Sequence, residues 1–362
     1  MDVSGDGDVA GQSSGESART DGDSGRATDE PIRVCGVDFS AAATDAGRKT
    51  WIASGRVDPP SDDLVVTDLR PLADVAGLDD AGRTDALPAL AGWIRERDEA
   101  TVVGLDFPFG LPRFVVEETG NESWRSFING FPESIGVNGS EGGDPSKGDG
   151  DGDSGDGDGD SGEGEGDGDS GDGDGDPRDP VRAFAERCVG LTERHGEGTY
   201  AKRRTDAAVG ARSPYGFIAD TIAFYGMRDV LASLIDEVRF APMDRTDGGW
   251  RPEAPAGPTA VETYPAAVLD RLGLHRTNYK GSGDEKATRR RRNAEGLAEA
   301  AGVVYNSGSG LTETMVADAG GDALDAVAAC VGAFTAWTRD YEPDAAALGD
   351  PDAVALEGHI YG

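Results

Sequence analysis

The chain has 362 residues, with 34 Lys and Arg against 69 Asp and Glu, which gives a net charge of −35. No run approaches the roughly 18 apolar residues of a transmembrane helix, and the N-terminus has neither the basic region nor the apolar core of a signal peptide. The three cysteines are widely separated, so no spacing suggests a zinc site, and their odd number argues against a disulfide framework. We expect a cytoplasmic protein with no membrane partner and no obligate protein partner.

Two acidic segments divide the chain. Residues 1–30 carry eight Asp and Glu against two Arg, and residues 139–178 are built on repeated Gly-Asp phrases. Neither has enough large apolar side chains to offset the entropy of ordering, so we predict a disordered acidic tail and a disordered inserted loop. The expected ordered parts are residues 31–138 and 179–340, which form one domain with a helical insertion, followed by a C-terminal tail at 341–362.

The ordered parts begin with strands. Apolar runs at 32–40, 49–57 and 63–72 predict three strands, the last two at hairpin-like spacing. Helical spacing of apolar residues predicts a helix over 83–100, with Pro88 near its start, and a fourth strand follows at 101–112. After the insert the predicted elements are, in order, helices at 181–191 and 217–235, a strand at 259–265, and helices at 266–273, 284–300 and 321–337.

Carboxylates stand at the ends of several predicted elements. Asp38, Asp106 and Glu262 end apolar strands, and Asp322 and Asp325 open the last helix, three residues apart and therefore on one face. Carboxyl ends of neighbouring strands meet in the crevice where α/β proteins bind ligands. Such a cluster is tolerated when Mg²⁺ or Mn²⁺ neutralises it, because both ions prefer oxygen ligands. The alternative for Asp322 and Asp325 is that they only stabilise the helix N-terminus through its dipole.

Several phrases resemble one known family. GVDFSA (36–41), GLDFPFGLP (104–112), VETYPAAV (261–268), Tyr279-Lys280 and DALDAVAAC (322–330) occur in the order found in the DUF429 family, whose members are described as predicted nucleases of the ribonuclease H fold. The resemblance covers most of residues 32–338 apart from the acidic insert. It implies an α/β fold with a ribonuclease H-like mixed sheet, in the element order β-β-β-α-β-α-β-α.

The resemblance also implies roles for the acids. Asp38, Asp106, Glu262 and Asp325 correspond to the catalytic carboxylates, and Asp38, Asp106, Asp322 and Asp325 would bind Mg²⁺ or Mn²⁺. Glu262 would be an additional ligand or would support one. Gly321 stands where many relatives carry a second acid beside Asp322, so the ligand at that turn differs from the family pattern.

Basic residues are the candidates for substrate binding. Lys202 to Arg204 and Arg289 to Arg292 form two clusters, and Lys280 and Arg212 lie near them in the sequence. We expect Lys280, Arg204, Arg212 and Arg289 to contact phosphate. The alternative is a solvated helix face paired with local acids.

High Asp content with five Lys against 29 Arg is typical of salt-in halophiles, and it indicates a source like a halophilic archaeon. The leading functional hypothesis is a metal-dependent nuclease or phosphodiesterase acting on nucleic acid. One alternative is a nucleotide-dependent phosphotransferase of the actin and sugar-kinase type, although the turn after Asp38 lacks the glycine that such proteins use to hold phosphate. The other is a non-catalytic ribonuclease H-like binding protein.

Overall fold

A computed structural model describes Met1 and residues 31–59, 61, 63–137, 179–246, 249–306, 308–344 and 349–362. The predicted disordered tail (Met1 apart) and the predicted Gly/Asp-rich insert at 139–178 lie outside these residues.

Strands and helices alternate irregularly along the described chain. The strands are β1 (Ile32–Asp38), β2 (Trp51–Val57), β3 (Leu64–Pro71), β4 (Thr101–Leu105), β5 (Arg239–Ala241), β6 (Arg245–Thr246), β7 (Gly249–Trp250), β8 (Thr259–Thr263), β9 (Val303–Tyr305) and β10 (Ile360–Tyr361). The helices are α1 (Ala46–Lys49), α2 (Leu72–Ala76), α3 (Arg83–Arg95), α4 (Arg113–Glu118), α5 (Trp124–Asn129), α6 (Pro180–His195), α7 (Arg204–Val209), α8 (Ile218–Tyr225), α9 (Ala232–Leu234), α10 (Pro265–Arg271), α11 (Asp284–Ala300), α12 (Leu311–Ala317), α13 (Asp322–Thr338) and α14 (Pro351–Glu357). A 3₁₀ turn (Glu133–Ile135) follows α5, and a π-helical turn (Gly226–Leu231) joins α8 to α9.

A mixed eight-stranded sheet organises the fold. Its order is β10-β8-β4-β1-β2-β3-β9, and the short strand β5 also pairs with β8. β1, β4 and β8 are parallel neighbours, whereas β2 runs antiparallel to both β1 and β3. The carboxyl ends of β1, β4 and β8 therefore lie at one edge of the sheet.

Apolar residues cover both faces of the sheet. Val37 and Leu105 belong to a core shared with α3, α6 and the helices around Tyr225, while Val34 and Val102 belong to a second core that contains α11 and α13. The alternation along β1 and β4 is the period of two expected when a strand buries both faces against helices.

Helix α13 lies unusually close to the sheet at two glycines. A Cβ built on Gly36 would lie 2.7 Å from the Cα of Cys330, and one built on Gly104 would lie 2.6 Å from the carbonyl oxygen of Ala329. Neither glycine has a left-handed φ. Both are therefore required for the close approach of two backbones and not for a turn.

The predicted mixed α/β class is confirmed. The strands β1, β2, β3, β4 and β8 and the helices α3, α10, α11 and α13 begin within a few residues of their predicted positions. The structure differs at Pro88, which lies inside α3 and not at its start. It differs again at residues 341–362: the expected tail contains α14, and β10 pairs with β8 at the edge of the sheet. The short elements α4, α5, α7, α12, β5 and β9 were not predicted, because each is too brief to show a period.

Cys35, Cys188 and Cys330 are buried with free thiols, and such thiols pack as small apolar side chains. Among the described residues, we find no helix that combines the length and the apolarity needed to cross a bilayer.

The contact between α13 and β1 predicts that two Gly→Ala substitutions change the free energy of unfolding by very different amounts. Gly36→Ala forces a methyl group into the backbone of α13, so we expect a loss of about 3 kcal/mol or more in the free energy of unfolding, at the upper end of overpacking effects. Urea denaturation followed by circular dichroism measures it.

Gly92 in α3 is the matched control, because no atom lies within 4 Å of a Cβ built there. We expect Gly92→Ala to stabilise the protein by about 0.5–1 kcal/mol through helix propensity. Equal effects of the two substitutions would contradict the close approach of α13.

Candidate functional site

Two of the candidate acids are brought together by parallel strand pairing. Asp38 is the last residue of β1, and Asp106 follows β4, with Val37 and Leu105 in register. The backbone N–H of Asp106 donates to the carbonyl oxygen of Val37 at 3.0 Å, which extends the ladder by one step. The Asp38 and Asp106 carboxyl groups consequently lie close enough to affect each other's ionisation.

Helix α13 delivers the other two acids. It begins at Asp322 after Gly321, whose φ of +80° is a left-handed conformation that favours glycine. Asp325 is 3% exposed and comparable to Asp38 at 7%, whereas Asp322 is half-buried. Because α13 lies against β1 and β4, its N-terminus places these acids beside Asp38 and Asp106.

Tyr279 and Lys280 bind the acids of α13. The Tyr279 hydroxyl donates to Oδ1 of Asp325 at 2.7 Å. The Lys280 ammonium lies 2.7 Å from Oδ2 of Asp325 and 3.6 Å from Oδ1 of Asp322. Half of the Lys280 side chain is exposed, so this residue lies between the buried Asp325 and the protein surface.

Arg290 supports the loop that carries this pair. Its guanidinium donates to the carbonyl oxygens of Tyr279 at 2.6 Å and Gly281 at 2.9 Å, and also to that of Val316 on α12. Arg290 is buried, although it belongs to the basic run 289–292. The arginine run is thus partly structural.

Burial and mutual repulsion keep the acids from ionising freely. Burial raises the pKa of Asp38 well above its usual value; Lys280 opposes this, and Asp322, Asp325 and Asp106 add to it. Burial, followed by the charge of Asp325, raises the pKa of Asp106 to about 8. Burial also raises the pKa of Asp322 to about 6, against the opposing charge of Lys280. One ammonium is therefore the counter-charge for four carboxyl groups.

The donor chemistry of this cluster suits a hard divalent cation. Asp38, Asp106, Asp322 and Asp325 offer carboxylate oxygens, and oxygen ligands select Mg²⁺ or Mn²⁺. Within the residues that the structure describes, no group of three or more His, Cys, Asp and Glu is arranged to hold a metal ion as it stands. The acids are instead arranged around Lys280.

Glu262 is placed differently from the other candidate acids. It lies in β8, one residue before the end of the strand, near Asp106. Both of its oxygens bind the Arg203 guanidinium, at 2.5 and 2.7 Å, and it also accepts from the Phe109 N–H at 3.0 Å. Asp206 binds the other side of Arg203. Burial disfavours the charge on Arg203, but Asp206 and Glu262 outweigh it and raise the pKa of Arg203 well above its usual value. The geometry gives Glu262 a role in holding Arg203.

The predicted phosphate-binding residues do not form one surface with the acids. Lys280 lies in the cluster, whereas Arg289 pairs with Glu285 on its own helix and donates to the carbonyl oxygen of Asn278. Arg204 is exposed and reaches Asp350 at 3.5 Å. Arg212 is exposed and lies over the Phe217 ring.

Sequence reasoning missed two residues that the site depends on. Arg203 was grouped with its neighbours as a surface cation, yet it is 1% exposed. Tyr279 was noted only as part of a motif, and its hydrogen bond to Asp325 could not be anticipated from spacing. A cleft of about 500 Å³, lined by residues including Arg83, Leu87 and Arg228, contains none of the clustered acids.

Comparison with known proteins gives one match. A protein-family model described as "Protein of unknown function (DUF429)" matches residues 233–347, so this part of the chain, which includes Lys280, Asp322 and Asp325, is similar to that family. No curated protein and no solved structure matches the chain.

The ion pair at Glu262 predicts a structural penalty. Glu262→Gln leaves the buried Arg203 guanidinium short of a negative charge, and we expect a loss of about 3–5 kcal/mol in the free energy of unfolding. Glu117→Gln is the control, since Glu117 forms an exposed ion pair with Arg113, where about 0.5 kcal/mol or less is expected. Urea denaturation compares them. Wild-type stability in Glu262→Gln would show that Arg203 does not need this partner.

The acid cluster also predicts a pH dependence without divalent cations. The folded pKa of Asp106, about 8, exceeds the usual unfolded value of about 4, so the folded state holds an extra proton between these pH values. Stability from this group is complete below about pH 4 and is lost as the pH rises through about 8.

We therefore expect Asp106→Asn to show a smaller decrease in stability than the wild type between about pH 5 and pH 8 in EDTA. Asp79→Asn removes the same formal charge from an exposed loop and should follow the wild type. Parallel curves for the wild type and Asp106→Asn, measured by chemical denaturation, would rule out this contribution.

Proposed function

We propose that this chain is a metal-dependent phosphodiester hydrolase acting on nucleic acid, with a ribonuclease H-like scaffold. One observation carries the proposal: Asp38, Asp106 and Asp325 come from two parallel strands and a helix that are distant in sequence, and they converge, mostly buried, at one sheet edge. Burying several carboxyl groups together costs stability, and proteins retain such clusters mainly where they act.

The element order supports the proposed scaffold. The described chain runs β1, β2, β3, α3 and β4, and later β8 and α13, apart from short helices. This is the order expected of a ribonuclease H-like domain from the family resemblance. The helices between β4 and β8 stand as the proposed insertion.

Each acid has a role in the proposed reaction. Asp38 and Asp106 would hold Mg²⁺ or Mn²⁺ together, and Asp325 and Asp322 would complete the oxygen donors. The bound ion would supply an activated water and would neutralise charge on the phosphate. The Tyr279 hydroxyl orients the Asp325 carboxylate through its hydrogen bond, and so limits the ways in which that group can turn.

Lys280 has two positions in this proposal. In the structure its ammonium is the counter-charge of Asp325 and Asp322. Because half of its side chain is exposed, it can turn outwards to a phosphate group once another cation compensates the acids. In this proposal, Lys280 therefore compensates the clustered acids before substrate arrives.

The proposal predicts metal-dependent cleavage that depends on the cluster. Asp38→Asn and Asp106→Asn should each reduce the rate at least about 100-fold, because each removes a charged oxygen donor, and EDTA should abolish cleavage. A panel of single- and double-stranded DNA and RNA is assayed with Mn²⁺ in low salt and in molar KCl, since the net charge of −35 repels nucleic acid unless salt screens it.

Glu299→Gln is the control for this assay, because it removes an exposed acid from α11 and should leave the rate unchanged. Thermal unfolding gives a second measure: Mn²⁺ should raise the unfolding temperature of the wild type and of Glu299→Gln, but not that of Asp38→Asn. A wild type that neither cleaves the panel nor responds to Mn²⁺ would refute the proposal, and ATP hydrolysis in its place would favour a phosphotransferase.

A further inference from the structure

Two exposed aromatic rings stand together on the segment between α6 and α8. The described large hydrophobic side chains that are exposed are Met1, Tyr200 at 47%, Phe217 at 69% and Val304 at 46%. Tyr200 and Phe217 pack against each other with ring centroids 5.6 Å apart and planes at 35°. The Arg212 guanidinium lies 5.6 Å from the centre of the Phe217 ring. We name Tyr200, Phe217 and Arg212 the aromatic platform.

The platform rests on a rigid base. Below Tyr200 lies the ring of Tyr215, which is fully buried and whose hydroxyl bonds to Thr192 at 2.6 Å and accepts from the Ala201 N–H at 3.0 Å. Gly216 lies close beside the Tyr200 ring, because a Cβ built there would lie 3.3 Å from a ring carbon. The exposed rings are therefore held in place from beneath.

Phe217 is held outwards by an unfavourable backbone conformation. Its φ is +55° and its ψ is −135°, a region that glycine adopts easily and a bulky residue rarely does. An exposed apolar ring gains little from burial that could offset this strain. Strained conformations of this kind concentrate where a ligand is bound.

The segment that carries the platform is basic, unlike the whole protein. Lys202, Arg204 and Arg212 are exposed, although Arg204 pairs with Asp350. The acid of this segment, Asp206, is buried against Arg203. Residues 199–217 thus present cations beside aromatic rings in a chain with a net charge of −35. Aromatic rings flanked by cations fit a ligand with flat rings and negative charges.

The same segment is attached at two points to parts of the chain that border the acid cluster. Arg203 holds Glu262 on β8, next to Asp106. At the other end of α7, Arg276 donates to the carbonyl oxygens of Val209 and Gly210, and Lys280 follows four residues later. A ligand strand on the platform would therefore lie on the segment that borders the candidate site.

We propose that the aromatic platform binds single-stranded nucleic acid by stacking a base on Tyr200 and Phe217. This deepens the proposed function by naming the substrate class, and it rests on that function only for the cleavage step. Exposed rings stack on any unpaired base, whereas the bases of a duplex already cover one another. Arg212, with Lys202 nearby, supplies the phosphate contacts.

Binding without cleavage tests the platform. Fluorescence anisotropy with a labelled 12-nucleotide oligo(dT) or oligo(U), in EDTA, uses the full chain carrying Asp38→Asn and Asp106→Asn. In this background Tyr200→Ala and Phe217→Ala should each weaken binding about tenfold, the central effect of losing one stacked base. The dependence of affinity on salt should stay unchanged, because stacking releases no counterions, whereas Arg212→Gln should reduce the slope by about one.

Three further variants separate stacking from folding. Val304→Ala removes an exposed hydrophobic side chain from β9 and should leave the affinity unchanged. Phe217→Trp should retain binding. Phe217→Gly should raise the unfolding temperature, since glycine relieves the strained φ, while it weakens binding.

Absence of oligonucleotide binding would overturn the inference. So would Tyr200→Ala and Phe217→Ala variants that bind as tightly as the background protein, or tighter binding of a duplex. So would a dimer, detected by sedimentation, that Phe217→Ala dissociates, because a second copy would then cover the rings. If the inactive background binds as expected but the wild type cleaves nothing, the platform stands and the proposed hydrolase falls.

Discussion

The contact between α13 and the sheet is the constraint on which the candidate site depends. Gly36 and Gly104 let the helix backbone lie directly on β1 and β4, where any side chain would hold it away. The first turn of α13 therefore reaches the carboxyl ends of these strands. Without that approach, Asp322 and Asp325 would remain ordinary acids at a helix N-terminus, where they interact favourably with the dipole. With it, they share a buried space with Asp38 and Asp106.

Carboxylates that lie this close together need positive charge beside them, and the protein supplies cations in two ways. Lys280 and Tyr279 bind the acids of α13 from a loop that Arg290 supports. Glu262, close by on β8, is instead bound on both oxygens by Arg203 and removed from the cluster. The acids near the ends of β1, β4 and β8 thus lie in different environments. Asp38 and Asp106 remain available to a cation, whereas Glu262 forms a fixed ion pair with Arg203.

The basic residues divide in a similar way. Arg203 and Arg290 occur in arginine runs that suggest solvated phosphate contacts, yet both are buried and hold backbone or carboxylate oxygens. Lys202, Arg204 and Arg212 remain outside, and Arg212 lies against an exposed aromatic pair. In a strongly acidic protein, buried arginines join the elements, while the few exposed cations of residues 199–217 mark one surface.

The sequence by itself determined the mixed α/β class, the positions of β1, β4, β8 and α13, and the acids at their ends, because strand and helix periods and strand-end carboxylates are local patterns. Tertiary structure alone decided which acids meet. Asp38 and Asp106 belong to strands that pair in parallel, and Asp325 reaches them only through a glycine contact nearly 300 residues away in the chain. The tertiary structure also separated Glu262 from the cluster and placed Lys280 within it. Ion pairing depends on distances in space, which spacing along a chain does not encode.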